Sequence, residues 1–387
     1  MKRILIIIGI IIALLAVLIG IYFAWKNSKA VLGPSTKETS PNDIPVIGDS
    51  NAFPEASQGA ANQIANEQVN KNKLKVLSDY PVLGYSTVGA TSSPDPIIFY
   101  VNNLGQVLKL IENQEDEIIS QDTIENVNWV KSGAEGKVFL VKFGGAKNPQ
   151  FKIFDVEKKI WQQIDDAVAA DFSPTNPKIA YLKNNGDLII KDLFGSKPKT
   201  TKVISINQKD FEINWTTDNQ ILLASKPSYL VLGEIWRIDI KNKTINLLDS
   251  GNGLIINWSK DGKLGISFSS LNNGKRLGIK LIDDKGIAKA DLDFFTLPDK
   301  CFISQPKIYC GVPQTNNVIR APILPDDYLK KAVYFSDFIY QIDTNENSFE
   351  PVLTGTDQPL DINSPRIFGD QLFFINRYDN RLYGLKF

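Results

Sequence analysis

Cys301 and Cys310, in the segment CFISQPKIYC, are the two cysteines of the chain, and their spacing is that of partners across a β-hairpin. With Gln305 and Pro306 at the turn, Ser304 pairs with Lys307, Ile303 with Ile308, Phe302 with Tyr309 and Cys301 with Cys310. Counted out from the turn, the cysteines fall at a non-hydrogen-bonded position, where Cα atoms approach to about 4.5 Å, inside the range a disulfide accepts. A Cys301–Cys310 disulfide is expected. Disulfides persist outside the cytosol, so the bond argues for an exported domain. Two cysteines without histidine are too few ligands for a zinc site, and no metal or cofactor is expected.

The chain has no histidine, which removes Ser-His-Asp and Cys-His catalysis, the H-E-x-x-H zinc site and an imidazole pH switch. Acid/base chemistry would fall to carboxylates. Asp155, Asp192, Asp239, Asp283 and Asp343 recur in IFDVEKK, IKDLFG, RIDIKNK, LIDDKG and QIDTNEN. They occupy equivalent points of a repeat, where one strand turns into the next, and are expected to be turn residues. Neither Asp283 with Asp284 nor Asp291 with Asp293 belongs to a D-x-D-x-D-G calcium loop. No catalytic residue is assigned and no enzyme is expected. The competing expectation is a carbohydrate-active propeller with two carboxylates at a channel mouth.

The strongest candidates for binding lie in the longest departure from the repeat, residues 311–333 (GVPQTNNVIRAPILPDDYLKKAV). Arg320, Asp326, Asp327 and Tyr328 supply both charge signs and an aromatic ring, and Pro322 and Pro325 limit the entropy lost on binding. A second loop, KPSYLVLGE (226–234), offers Tyr229 and Leu230 on the same rim. Insertions on rigid scaffolds are where function tends to sit. Arginine is scarce beside lysine, 7 against 36, so each arginine stands out. Lys plus Arg and Asp plus Glu both number 43, and with a formal charge of zero no nucleic-acid partner is expected.

These candidates are positioned by an all-β domain over residues 73–387. Strands such as KVFLVKF, KIAYL, QILLAS and QLFFIN are short and separated by Asn, Gly, Asp and Pro turns. The segments around Trp129, Phe172, Trp215 and Trp258 share an aromatic, a polar turn and an apolar strand, with successive aromatics 43 residues apart. That period is the length of a four-stranded propeller blade. Tyr85, Ile303 and Ile367 extend the frame to seven anchors, hence a seven-bladed β-propeller, with six blades as the alternative. Trp129, Trp215 and Trp258 are expected in the inter-blade core. The last blade has three strands of its own, and Lys73 to Asp79 (KLKVLSD) is expected to complete it and close the ring.

DFSPTNPKIAY (171–181) and NWSKDGKLGIS (257–267) resemble the W-S-P-D-G-K-x-I-A-F repeat of TolB-like propellers of bacterial envelopes, relatives of the tryptophan-aspartate repeats. The resemblance implies a protein-binding or scaffolding role and assigns no catalytic residue.

Ahead of the repeat, Ile4 to Trp25 is an unbroken apolar run. As a helix it would span roughly 33 Å, a hydrocarbon core, so residues 1–26 are expected to be a transmembrane signal anchor. Gly9, Ala13, Ala16 and Gly20 share one helical face that could bring two such helices together. Residues 27–72, rich in Ser, Asn, Gln, Ala and Pro, read as a disordered tether. The expectation is a single-pass protein of a bacterial membrane, its propeller outside the cytoplasm, binding an envelope protein or surface polymer.

Overall fold

Four kinds of strand recur along the chain, and their apolar patterns follow from their depth. Second strands are continuous apolar runs, such as Phe139, Leu140 and Val141, all fully buried, because both faces pack on neighbouring blades. Fourth strands lie outermost and alternate or expose apolar residues, as Ile160, Ile245 and Leu247 do. The computed structural model describes residues 30–32, 73–89, 95–133, 135–194, 197–208, 210–271, 276–314, 322–346 and 348–387.

In chain order, β1 (Ala30–Leu32) and β2 (Leu74–Val76) precede the first complete blade. Blade 1 is β3 (Val82–Val88), β4 (Ile97–Asn102), β5 (Val107–Lys109) and β6 (Glu117–Ser120). Blade 2 is β7 (Val127–Ser132), β8 (Val138–Gly145), β9 (Asn148–Asp155) and β10 (Ile160–Ile164). Blade 3 is β11 (Ala167–Phe172), β12 (Lys178–Lys183), β13 (Asp187–Asp192) and β14 (Thr200–Ser205). Blade 4 is β15 (Phe211–Thr217), β16 (Gln220–Ser225), β17 (Leu232–Asp239) and β18 (Thr244–Asn252). Blade 5 is β19 (Ile255–Trp258), β20 (Leu264–Leu271), β21 (Arg276–Asp283) and β22 (Ala288–Leu292). Blade 6 is β23 (Cys301–Ser304), β24 (Lys307–Pro313), β25 (Asp337–Asp343) and β26 (Ser348–Leu353). Blade 7 is β27 (Ile362–Phe368), β28 (Gln371–Asn376), β29 (Arg381–Lys386) and the early strand β2.

Each of the seven blades has four antiparallel strands, and the blade 5 sheet carries β1 as a fifth, parallel strand at its outer edge, so the protein is a seven-bladed β-propeller, not a six-bladed one. First strands are innermost, and those of adjacent blades pack together, as β3 with β7 and β11 with β15 do. Closure is as expected: Leu74 pairs with Leu385, Lys75 with Gly384 and Val76 with Tyr383. Tyr85 reinforces the seam between blades 1 and 7, its hydroxyl donating to the carbonyls of Phe373 at 2.9 Å and Ser364 at 2.8 Å. Closing the ring removes the edges an open sheet would expose.

One part of the repeat reading is corrected. Ser132 pairs with Phe139, Phe172 with Ile179, Trp215 with Ile221 and Trp258 with Gly265. Ser132, not Trp129, therefore holds the anchor position of blade 2. Trp129 sits three residues upstream and is 38% exposed, so it is not core; its place in the equal spacing is coincidental. Phe172 and Trp215 are buried in their seams, and Trp258 is half-buried.

The expected anchor (4–25), with Gly9, Ala13, Ala16 and Gly20, lies outside the described residues, as does the rest of the tether apart from one segment. That segment, Ala30–Leu32, is a strand rather than a tether: it pairs in parallel with β22 at the outer edge of blade 5, Ala30 opposite Ala290. Among the described residues no helix is long and apolar enough to cross a membrane.

Candidate functional site

In every blade the second strand ends, and the third begins, on the face where blades connect to one another. The 226–231 loop of blade 4 and the 314–336 connection of blade 6 therefore share one rim. Blade 5 lies between them, and the two loops meet above it. In the blade 6 connection, Asp326–Leu329 forms a single helical turn, α1. Asp326 reaches across: its Oδ2 accepts the Tyr229 amide at 2.8 Å and its Oδ1 accepts the Ser228 hydroxyl at 3.3 Å.

The floor of this arch is equally specific. Gly253 donates its amide to the Ser228 carbonyl at 2.7 Å. At φ +63° it occupies the left-handed region, and a Cβ there would meet Pro325 Cδ at 2.5 Å, so glycine is required by both conformation and space. Asn252 donates to the Tyr229 carbonyl at 3.0 Å, and the Ser270 hydroxyl to the Leu324 carbonyl. Held in this way, Leu230, Val231 and Leu232 project from the rim at 70%, 63% and 59% exposure. Leu329 of α1 is also exposed. Beside Leu232 a groove of about 440 Å³ runs between blades 4 and 5, with Asp249, Asn252, Ser267, Ser270 and Lys280 among its lining residues.

The residues expected at the site are thus separated by role. Tyr229 and Asp326 are brought together. Asp327 turns inward and accepts the Ile323 amide at 2.8 Å. Tyr328 is buried, its ring 3.7 Å beneath the Arg377 guanidinium, and burial pushes its hydroxyl well above the usual tyrosine range. Arg320 lies outside the described residues. Leu230, expected on the rim with Tyr229, is exposed there; Val231 and Leu232, although visible as YLVL, had no pattern to distinguish them from a strand start.

Beneath the inner end of the insertion lies a cluster that the sequence did not announce. Lys300, at the end of a 3-10 turn (Pro298–Lys300), is fully buried. Its Nζ lies 2.5 Å from Asp337 Oδ2 and also contacts Asp361 Oδ1. Arg377 Nη1 donates to Asp361 Oδ2 at 2.6 Å, and its Nη2 donates to the Tyr328 carbonyl at 2.8 Å. Burial, opposed by Lys300, pushes the Asp337 carboxyl up to about 6. The scarcity of arginine was the one signal that could have found Arg377. Lys300, Asp337 and Asp361 had none, being single residues on three separate segments.

Glu212 on β15 and Asp299 beside β23 are both exposed and belong to the innermost layer of their blades. Enclosure raises the Asp299 carboxyl, and the charge of Glu212 raises it further. The recurring turn aspartates behave as expected. Asp155 Oδ1 accepts the Glu157 and Lys158 amides, Asp283 Oδ1 those of Lys285 and Ile287, and Asp343 Oδ1 those of Asn345 and Glu346. Cys301 and Cys310 form the disulfide, at opposed positions of β23 and β24 with Cα atoms 4.1 Å apart.

No family model matches the chain, and no curated protein matches it. Solved structures do. The tricorn protease superposes over 81% of this chain with 9% identity and a TM-score of 0.50, but the chain spans only 34% of that protein. The beta-propeller domain of Myceliophteria thermophila Cps50 (Swd1) matches at 9% identity and a TM-score of 0.50, covering 81% of this chain and 99% of that one. U3-55K aligns at 10% identity and a TM-score of 0.49, over 82% and 99%. What is shared is the fold. At such identities the propeller scaffold is common ground and side-chain chemistry is not.

Proposed function

We propose that the chain is a membrane-anchored, exported propeller that binds another envelope protein through the rim formed by residues 226–232 and the blade 6 insertion. The observation that carries this reading is the run Leu230, Val231, Leu232, three consecutive apolar side chains more than half exposed on a loop braced by Asp326 and Gly253. Apolar groups held out in water by a rigid frame form the core of an interface, with Lys226, Lys330 and Asp249 as its polar rim. The direction of the two segments ahead of blade 1 supports it. As a fourth strand β2 runs from the opposite face toward the rim, and β1, parallel to the fourth strand β22, runs the same way, so both begin on the side away from the loops, and a membrane-held domain would present the rim outward. The disulfide suits an oxidising compartment.

The test is photocrosslinking in native membranes, read by mass spectrometry. Leu230→Asp with Leu232→Asp should lose the partner captured by the native chain while leaving the melting temperature unchanged; capture of the same partner by the double variant overturns the reading.

A hydrolytic propeller is the second reading, favoured by the Asp299 carboxyl of the innermost layer, raised by enclosure and by the charge of Glu212. It predicts a glycosidase activity lost in both Asp299→Asn and Glu212→Gln.

A further inference from the structure

Lys300, Asp337, Asp361 and Arg377 place four formal charges in the interior. Each buried ion carries a desolvation cost that pairing only partly offsets. Three carboxylate oxygens are well partnered: Asp337 Oδ2 also accepts the Ile362 amide at 2.7 Å, and Asp361 Oδ2 accepts both Arg377 and the Phe335 amide. The fourth differs from these: Asp337 Oδ1 is buried and has no hydrogen-bond partner among the described residues. A buried carboxylate oxygen left without a hydrogen-bond donor carries a desolvation cost that the neighbouring ion pairs do not offset. The Phe335 and Tyr328 rings cover Lys300 Nζ at 5.2 and 5.3 Å from their centroids, which keeps water from the amine.

We propose that Lys300 and Asp337 are joined by an intramolecular amide between Nζ and Cγ, with Asp337 Oδ1 lost as water. One proton of the Lys300 ammonium passes to Asp337, leaving a neutral amine against a neutral carboxyl, a transfer helped by the upward shift of that carboxyl. The Nζ lone pair attacks Cγ and the C–N bond forms. Asp361, in contact with Nζ, takes a second proton from it and returns that proton to the departing hydroxyl. The Cγ–Oδ1 bond breaks and water leaves. Asp337 Oδ2 remains as the amide oxygen and keeps the Ile362 N–H. No oxidant or cofactor is consumed, and four buried charges become two, the Asp361–Arg377 pair. The bond ties the entry of β23 to the start of β25 and closes the base of the blade 6 insertion covalently.

The full-length protein, reduced, alkylated and digested with trypsin, is the material for the test. The expected product is peptide 290–307, uncut at Lys300, joined to peptide 332–366 with a mass one water below their sum, and fragmentation places the bond at Asp337. Lys300→Arg, which keeps the cation, gives no joined species, and Asp361→Asn lowers its yield at least tenfold. Finding only the separate peptides, with Lys300 cleaved and both masses unmodified, overturns the proposal, as does a bond to Asp361. The digest needs no partner and no activity, so its outcome is independent of the rim.

Discussion

Asp326 of blade 6 accepts the backbone amide of Tyr229 of blade 4 at 2.8 Å, so two loops separated by a whole blade are a single structural unit. The carboxylate that looked like a binding group is the brace. Asp326→Ala leaves the Tyr229 amide and Ser228 hydroxyl without their acceptor and is expected to cost about 1 to 2 kcal/mol, measured by urea unfolding. Faster amide hydrogen exchange should be confined to residues 226–232 and 322–336.

Gly253 tests the same arch from below. Gly253→Ala adds a Cβ at positive φ against Pro325 and Ser270, and the strain and overpacking together should cost about 2 to 3 kcal/mol. Gly355, also at positive φ but with nothing near its Cβ, provides the control. Gly355→Ala should cost only the backbone part, about 1 kcal/mol. Equal losses in the two variants would show that the arch does not press on Gly253.

Asp171 stitches three blades. Fully buried in blade 3, it accepts Lys131 Nζ from blade 2 at 2.8 Å and the Trp215 amide from blade 4 at 2.7 Å. Lys131 is partly in solvent, so the loss in Asp171→Ala comes chiefly from the unpaired Trp215 amide. Roughly 2 to 3 kcal/mol is expected by denaturant unfolding. Lys131→Met should cost less than half of that.

The closing strand makes a prediction about truncation. A chain starting at residue 73 keeps Leu74–Val76 on β29 and should melt as one cooperative unit. A chain starting at residue 80 exposes the outer edge of blade 7 and should melt at least 10 °C lower, or aggregate through that edge, as followed by circular dichroism and size exclusion.

Acid should loosen the turns. The Asn242 amide leads in holding the Asp239 carboxyl below the usual range. For Asp283 burial pushes upward, but the Ile287 and Lys285 amides outweigh it. A carboxyl depressed in the folded state contributes stability above its unfolded value, about 3.9, and that contribution is lost as pH falls through the folded value. The contribution of these two turns to the melting temperature should be level from pH 7 to 5 and be lost below pH 4. Asp283→Asn should shrink the fall, because that side chain no longer titrates.

The sequence by itself determined the all-β repeat, the closing strand, the opposed cysteines and the role of the recurring aspartates, and it pointed to seven blades while leaving six open. All of these follow from local rules: strand period, turn chemistry and hairpin register act within one repeat and can be read along it. Trp129 marks where that reading failed, since equal spacing does not reveal a shift of register inside a blade. Tertiary structure alone decided which loop residues face solvent. Asp326, Asp327 and Tyr328 read as a charged, aromatic binding loop, yet their partners Tyr229, Ile323 and Arg377 come from blade 4, the loop's own entry and blade 7. The Lys300, Asp337, Asp361 and Arg377 cluster is likewise assembled from four segments that the packing of blade 6 on blade 7 brings together. A side chain's burial depends on which distant strand packs over it, and no local pattern encodes that.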